Sequence, residues 1–451
     1  MSCPLKVAII GAGPAGLFAA EALLKQGAGL DLEIDIFERL PAPFGLVRYG
    51  VAPDHYKIKS VTQSLGRVFE QAGVRLFAGA EYGSAFSYQD LKARYQARIF
   101  TTGASLDRAI GIPGEELDGN LSSTALVGWY NGHPDYRHLS PRLSPAVAVI
   151  GAGNVAIDVV RILAKTAAEL SPTDISRSAL SALAQSPVEN LYLIGRRGPA
   201  QARFTPKELR ELGELQEADV HVDPADLELD PVSQAEADRS PQVQRNLEIL
   251  RSFAAQRPSG KRRRIHLLFR WAPLRVLGST SAERLELGRT HLGPAQEAIL
   301  GEQRRELAVG TVVRAVGYRS QPVPGLPFDP SKQVVANRAG RVEGRSGDYV
   351  AGWIKRGPSG VIGTNKADAA ETVASLLADL EQLEQPQGAL PIEVALEERG
   401  IQSLDLSCWK RLDSYELQLG SQLGCARVKI SDPAEMLRIS RAGAAVLSAE
   451  V

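Results

Sequence analysis

Short apolar runs that end on glycine punctuate this chain, and each is followed by a stretch in which apolar residues recur every three or four positions. Residues 6–10 (Lys-Val-Ala-Ile-Ile), 146–150 (Ala-Val-Ala-Val-Ile) and 191–195 (Leu-Tyr-Leu-Ile-Gly) are the clearest runs. Continuous rather than alternating hydrophobicity predicts parallel strands buried on both faces, and the three-to-four spacing predicts the helices that cover them. On this pattern we expect strands at 6–10, 32–37, 74–78 and 98–104, a helix over 14–26 stopped by Gly27 and Gly29, and a helix over 56–72. The pattern then starts again, with a strand at 146–150, a helical segment carrying Val159, Val160, Ile162 and Leu163, and strands at 191–195, 265–269 and 311–316. A final strand near 348–351 breaks into a glycine-rich turn that opens a helix over 366–380, which Pro386 must end. Such alternation of strand and helix predicts an α/β fold of two Rossmann-like, doubly wound halves.

The turn after each first strand carries the chemistry. Gly11-Ala-Gly13-Pro14-Ala15-Gly16 and Gly151-Ala152-Gly153-Asn154-Val155-Ala156 are two copies of a dinucleotide fingerprint. The first glycine permits a tight turn, the second lets backbone N–H groups approach a pyrophosphate, and the third small residue keeps the helix against the strand. One copy is a weak signal; two copies predict two bound dinucleotides. The ends of the second strands distinguish them. Glu38 stands about 20 residues beyond the first glycines, where a carboxylate accepts hydrogen bonds from both ribose hydroxyls, so FAD or NAD fits this half and NADP does not. The second half has Arg196-Arg197 at the corresponding place. Two guanidiniums there present charge-assisted donors to a 2′-phosphate and remove the carboxylate that would repel it. Arg203, Lys207 and Glu208 follow closely enough to line the same pocket.

Residues 41–55 form a loop rich in Gly and Pro yet too apolar for a linker, suited to lie against a flat ring system. His55 is the group in it that changes charge near neutrality, so it serves either beside a redox ring or as a structural histidine. Trp353 stacks on a ring or fills core on equal evidence. Across 451 residues Lys plus Arg balance Asp plus Glu at 52 each, so no global field favours nucleic acid or an anionic membrane. Residues 211–238 are acid-rich and 239–264 basic, and each reads as a solvated face; the basic one also suits steering of an acidic electron acceptor. Cys3, Cys408 and Cys425 form no Cys-x-x-Cys pair, which argues against a dithiol relay or a thiolate iron-sulfur cluster. With no span of roughly 20 apolar residues and a strand starting at Lys6, we expect a cytoplasmic protein.

Further motifs sharpen this picture: Gly45-Leu46-Val-Arg-x-Gly-Val-Ala-Pro-Asp-His55, Gly128-Trp-Tyr-Asn-Gly, Gly195-Arg-Arg-Gly-Pro, Phe204-Thr-x-Lys-Glu-Leu-Arg-Glu211 and Gly352-Trp-Ile-Lys-Arg-Gly-Pro-x-Gly360. With the two fingerprints they make the chain resemble, over nearly its whole length, the adrenodoxin reductase-like NADPH:ferredoxin reductases. The resemblance implies FAD bound by the first half through Gly11, Gly13, Pro14, Ala15, Gly16, Glu38, Arg39, Leu46, Gly103, Gly352, Trp353, Gly360, Val361 and Ile362. It implies NADPH bound by the second through Gly151, Ala152, Gly153, Asn154, Val155, Arg196, Arg197 and Glu208. His55 and Asp158 match a pair placed near the flavin in the family and linked there to proton and electron transfer. Arg239 and Arg245 fall near two arginines that bind the iron-sulfur partner. Tyr56 departs from the family, which usually has proline after that histidine. The implied domains are residues 1–108 and 318–451 for FAD, the latter with a C-terminal helical extension, and an inserted NADPH domain at 109–317. The implied activity is hydride transfer from NADPH to FAD and single-electron transfer onward to a ferredoxin. Reduction of quinones or small oxidants, or service as a flavin-bearing subunit of a larger complex, would use the same two sites.

Overall fold

A computed structural model describes residues 4–386, 388 and 390–442; Cys3 and Gln387 lie outside the described residues. The chain divides into two compact units, one comprising residues up to Leu106, Asn131–Pro134 and the chain from Tyr318 on, the other Asp107–Tyr130 with Asp135–Gly317.

The first unit is built on parallel strands in the order Asp348–Val350, Ala97–Phe100, Leu5–Ile10, Leu32–Glu38, Val74–Ala78, extended by the antiparallel pair Asn337–Arg338 and Arg341–Val342. Successive side chains serve opposite cores, as the unbroken apolar runs require. Val7 and Ile9 pack with Leu17 and Leu23 of the helix Pro14–Gln26 and with Val373 and Leu376 of the helix Thr364–Ala378, whereas Ala8 and Ile10 pack with Phe37, Phe86 and Phe100. A buried pair, Arg98 and Asp348 at 2.5 Å, ties the strand returning from the far end of the sequence to the N-terminal half. Two expectations are corrected. The strand expected over 98–104 ends at Phe100, because the Thr101 hydroxyl folds back to donate to the carbonyls of Ile10 (3.0 Å) and Gly11 (2.9 Å). The helix expected over 56–72 is three short turns, Tyr56–Lys59, Val61–Gly66 and Arg67–Glu70. The hydroxyls of Ser60, Thr62 and Ser64 each bond the carbonyl three residues back and loosen the continuous ladder.

The second unit holds six parallel strands in the order Asn120–Ser122, Thr311–Arg314, Ala146–Ile150, Asn190–Gly195, Arg263–Phe269, Ala218–Val222. A three-stranded antiparallel sheet, Trp271–Leu277, Arg284–Leu292 and Ala298–Ala308, covers part of it through Leu285, Leu287 and Leu307. The hydrophobic pattern does not announce this sheet, since its outer strand is mostly exposed and charged. The charged stretches are likewise more than solvated faces. Asp226 is 3% exposed and takes a 2.7 Å ion pair from Arg289, Asp230 and Ser240 cap the helices Pro231–Arg239 and Pro241–Ala255, and buried Arg263 donates to the Ala164 carbonyl. Among the described residues no helix is long and apolar enough to cross a membrane.

Candidate nucleotide sites

In each unit the strand order reverses beside the fingerprint, between Leu5–Ile10 and Ala97–Phe100 in one and between Ala146–Ile150 and Thr311–Arg314 in the other. Ligands of open α/β sheets bind at such reversals, beyond the carboxyl ends of the strands. The glycines there divide by what a Cβ would meet. At Gly11 it would lie 2.7 Å from the Thr101 carbonyl oxygen, and at Gly151 2.2 Å from that of Ala315, so both turns run against the strand across the reversal. At Gly16 it would come within 2.0 Å of the Gly11 oxygen. Buried Ala156 holds the matching place in the second unit. At Gly13 and Gly153, by contrast, nothing lies within 4 Å, and these two leave volume open at the helix start.

The helix ends point the same way. Helices Pro231–Arg239, Pro241–Ala255, Leu406–Gln422 and Pro433–Arg441 are capped by the side chains of Asp230, Ser240, Asp405 and Asp432. Helices Pro14–Gln26, Asn154–Ala164 and Thr364–Ala378 begin after Gly13, Gly153 and Gly363 and have no side-chain cap. Their first N–H groups and the positive end of each dipole are left for an anion.

In the first unit Glu38 is buried, and its two oxygens accept the N–H groups of Ala12 and Leu40 at 3.1 Å each. Burial pushes its pKa up, against those N–H groups and the adjacent Arg39 charge. The carboxylate is thus oriented from behind, with further lone pairs on each oxygen. The loop joins the fingerprint where Phe44 N–H donates to the Ala12 carbonyl (2.9 Å) and where a Gly45 Cβ would stand 3.3 Å from Gly13 Cα. The C-terminal motif joins it too, since a Cβ on Gly352 would lie 2.5 Å from that of Ala15. Trp353 is half-buried, donates to the Ser359 carbonyl (3.1 Å) and sits 5.3 Å from the Tyr318 ring. Leu46 and Val361 are exposed, 37% and 65%, an apolar surface that a bound ring system would cover. Gly103 takes a φ of +73° just past the Thr101 turn, and Gly360 a φ of +80° where the chain turns through Val361 and Ile362 into Thr364–Ala378. His55 is buried and starts the turn Tyr56–Lys59. Position 56 is the first helical residue, a slot that also accepts proline.

In the second unit the segment after Asn190–Gly195 is strapped to the fingerprint. Arg203 N–H donates to the Ala152 carbonyl (2.7 Å), Thr205 N–H donates to Asn154 Oδ1 (2.8 Å), and Thr205 Oγ1 donates to buried Glu208. Val155 packs on the core below. Arg196 and Arg203 are exposed and Arg197 half-buried, and among the described residues none of the three guanidiniums has a hydrogen bond or ion pair within the protein. Burial, then the charges of Arg203 and Arg196, lower the Arg197 pKa, the mark of an uncompensated positive cluster. Phosphate chemistry fits these donors.

Asp158 lies in the helix Asn154–Ala164, one turn before Arg161. Its Oδ1 takes a 2.8 Å ion pair from Arg161, whose side chain is 2% exposed and which also meets Glu211 at 3.4 Å. His55 belongs to the first unit and Asp158 to the second. Arg239 closes the helix Pro231–Arg239 and borders a shallow cavity of about 310 Å³, while Arg245 lies on the next helix; both are exposed. Sequence reasoning passed over Thr101 and Asp368. Thr101 braces the first turn, and Asp368 accepts the Gly352 N–H (2.5 Å) while paired with Lys355 (3.2 Å). The small polar residues directly after an apolar run were the signal for Thr101; nothing local marks Asp368.

Residues 5–212 match the pyridine nucleotide-disulphide oxidoreductase family. The NADPH-ferredoxin reductase FprA of Mycobacterium tuberculosis is 42% identical, over 97% of this chain and 99% of its own. The mitochondrial NADPH:adrenodoxin oxidoreductase of Bos taurus is 40% identical, over 96% of this chain and 92% of its own. The solved structure of Mycobacterium tuberculosis FprA in complex with NADPH superposes with a TM-score of 0.93 at 40% identity, covering 98% of this chain and all of that one. By its own motifs and by these likenesses, the chain belongs to the adrenodoxin reductase-like family of NADPH-ferredoxin reductases.

Proposed function

We propose that this protein is a ferredoxin–NADP⁺ reductase that holds FAD in its first unit and NADPH in its second. The observation that carries the reading is the opposite charge at the two equivalent strand ends, Glu38 in one and Arg196-Arg197 in the other. The likeness to a reductase solved with NADPH supports it. Bound FAD supplies the conversion between two-electron hydride chemistry and single-electron transfer. The protein's own residues bind and orient. The open helix starts at Gly13 and Gly153 receive pyrophosphates, Glu38 takes ribose hydroxyls, and Arg196 and Arg197, with Arg203 beside them, take the 2′-phosphate. Leu46, Trp353, Val361 and Ile362 give an apolar lining that keeps water from the flavin ring. The absence of any Cys-x-x-Cys in the chain leaves an external acceptor in place of a disulfide. Exposed Arg239 and Arg245 are the basic residues that we assign to steering an acidic iron-sulfur protein, and the cytoplasm is the compartment this reading implies.

The test is electron transfer from NADPH to cytochrome c by purified protein with and without ferredoxin. Stimulation of about tenfold or more is expected for a steered protein acceptor; a rate indifferent to ferredoxin would remove the partner assignment. We assign His55 to proton handling beside the flavin, so His55→Ala should retain FAD while the flavin is reduced on the order of tenfold more slowly or worse, as for loss of a general acid–base group. Loss of FAD from that variant would make His55 structural. Asp158→Asn separates the same alternatives in the second unit: a fall in stability with unchanged flavin reduction would make Asp158 structural.

A further inference from the structure

The C-terminal helix Leu406–Gln422 buries Trp409, Leu412, Glu416 and Gly420, one continuous face. In the middle of that face stands a carboxylate. The Glu416 side chain is 0% exposed, and it meets Arg48 (5%) and Arg427 (18%). Its Oε1 accepts from Arg48 (2.6 Å) and from Ile430 N–H (2.9 Å), and its Oε2 accepts from Arg48 (2.8 Å) and Arg427 (2.8 Å). Asp413 pairs with Arg427 at 2.7 Å and neutralises the second cation. Gly420 is part of the device, since a Cβ there would lie 2.7 Å from Arg427 Cα and push the returning chain away.

The other end of the network is the flavin-facing loop. Arg48 lies in the short helix Gly45–Tyr49, between Leu46 and His55 in sequence, with its guanidinium over the Trp409 ring at 5.3 Å. Phe44, just before it, holds a left-handed φ of +81° and packs edge-on against Trp409 (5.9 Å) and Phe69 (6.3 Å). A non-glycine residue keeps that backbone only where its surroundings over-determine it. Stability alone does not explain the ions: apolar residues of like volume commonly serve as well or better than a buried ion pair. What an ion network adds is direction: Ile430 N–H and Arg427 fix the Glu416 carboxylate, and its two oxygens then both accept from Arg48 in only one placement of that guanidinium.

We propose that Glu416 is a positioning residue for the flavin site, which through Arg48 sets the loop that carries Leu46 and His55, making the C-terminal helices a clamp on that loop. The inference rests on the FAD reading of the first unit, and amide hydrogen exchange tests it in flavin-free protein as well. In Glu416→Gln, amides of residues 44–51 should exchange on the order of tenfold faster, while those of Leu5–Ile10 keep their protection. Because Glu416→Gln leaves Arg48 buried without its counter-charge, the double variant Arg48→Met with Glu416→Leu is measured beside it. That variant removes the buried unpaired cation, while Asp413 still neutralises Arg427, and should have a thermal midpoint above that of Glu416→Gln yet show the same loop exchange. Its flavin should be reduced by NADPH several-fold more slowly at an unchanged KM for NADPH. Wild-type loop exchange and wild-type flavin reduction in the stable double variant would overturn the proposal. A wild-type protein that binds no FAD would instead overturn the FAD reading, with the exchange comparison still deciding whether Glu416 holds the loop.

Discussion

Replacing Arg196 and Arg197 together by alanine should raise the KM for NADPH on the order of 100-fold and leave that for NADH within about twofold, since each charged hydrogen bond to the 2′-phosphate is worth about 1.5–3 kcal/mol. The full sum for two such bonds would be larger, but Arg196 is exposed, and solvent screens a surface charge. A loss of about 3 kcal/mol is therefore the reasonable scale, and each 1.4 kcal/mol is a factor of ten. No protein partner is lost, because neither guanidinium has one among the described residues, so the fold should be indifferent. Arg203 remains in the double variant and sets a ceiling on the loss. Steady-state kinetics with both coenzymes decide the matter. A parallel rise for NADH would mean that the two arginines hold the pocket open or bind the shared pyrophosphate, and the 2′-phosphate role would fall.

Gly16→Ala and Gly13→Ala should fail in opposite ways although only two residues separate them. A methyl on Gly16 would lie 2.0 Å from the Gly11 carbonyl oxygen and 2.8 Å from the Thr101 hydroxyl, both parts of the turn that the whole first unit is wound around. Since neither atom is the end of a flexible side chain, the helix Pro14–Gln26 must move off the sheet, at a cost of about 3 kcal/mol or more, the upper range for overpacking. A methyl on Gly13 meets nothing within 4 Å and should leave the thermal midpoint of the FAD-free protein nearly unchanged. It occupies the open volume at the helix start instead, and FAD affinity should fall by about tenfold or more as backbone N–H groups lose their approach to the pyrophosphate. Thermal unfolding and FAD titration of the two variants separate the effects. Tight FAD binding by a stable Gly13→Ala protein would place the pyrophosphate elsewhere.

Much of the first-unit sheet was legible because its cause is local. Strand Val74–Ala78 and helix Pro14–Gln26 stand at the residues predicted for them, and so does Ala146–Ile150 in the second unit, where a strand covered on both faces is written as an unbroken apolar run. The sheet made by Trp271–Leu277, Arg284–Leu292 and Ala298–Ala308 was not legible, because burial on one face alone lets Glu302, Arg304 and Arg305 dominate its outer strand. Charge misled in the same way. Asp226 and Arg263 look like members of solvated runs, yet each is buried against a partner far along the chain.

The sequence by itself determined the two fingerprint turns and the opposite charges at the next strand ends, on which the placement of FAD and NADPH that we propose rests, because both are properties of contiguous residues in a known chain geometry. Only the tertiary structure decided what holds those sites in shape. Thr101 against Gly11, Asp368 behind Gly352, Glu211 on Arg161 and Glu416 under Arg48 are contacts between elements, and two of these pairs span 90 and 368 residues. A buried charge looks like any surface charge until its partner is known, since it is the partner, and not the residue type, that makes burial affordable.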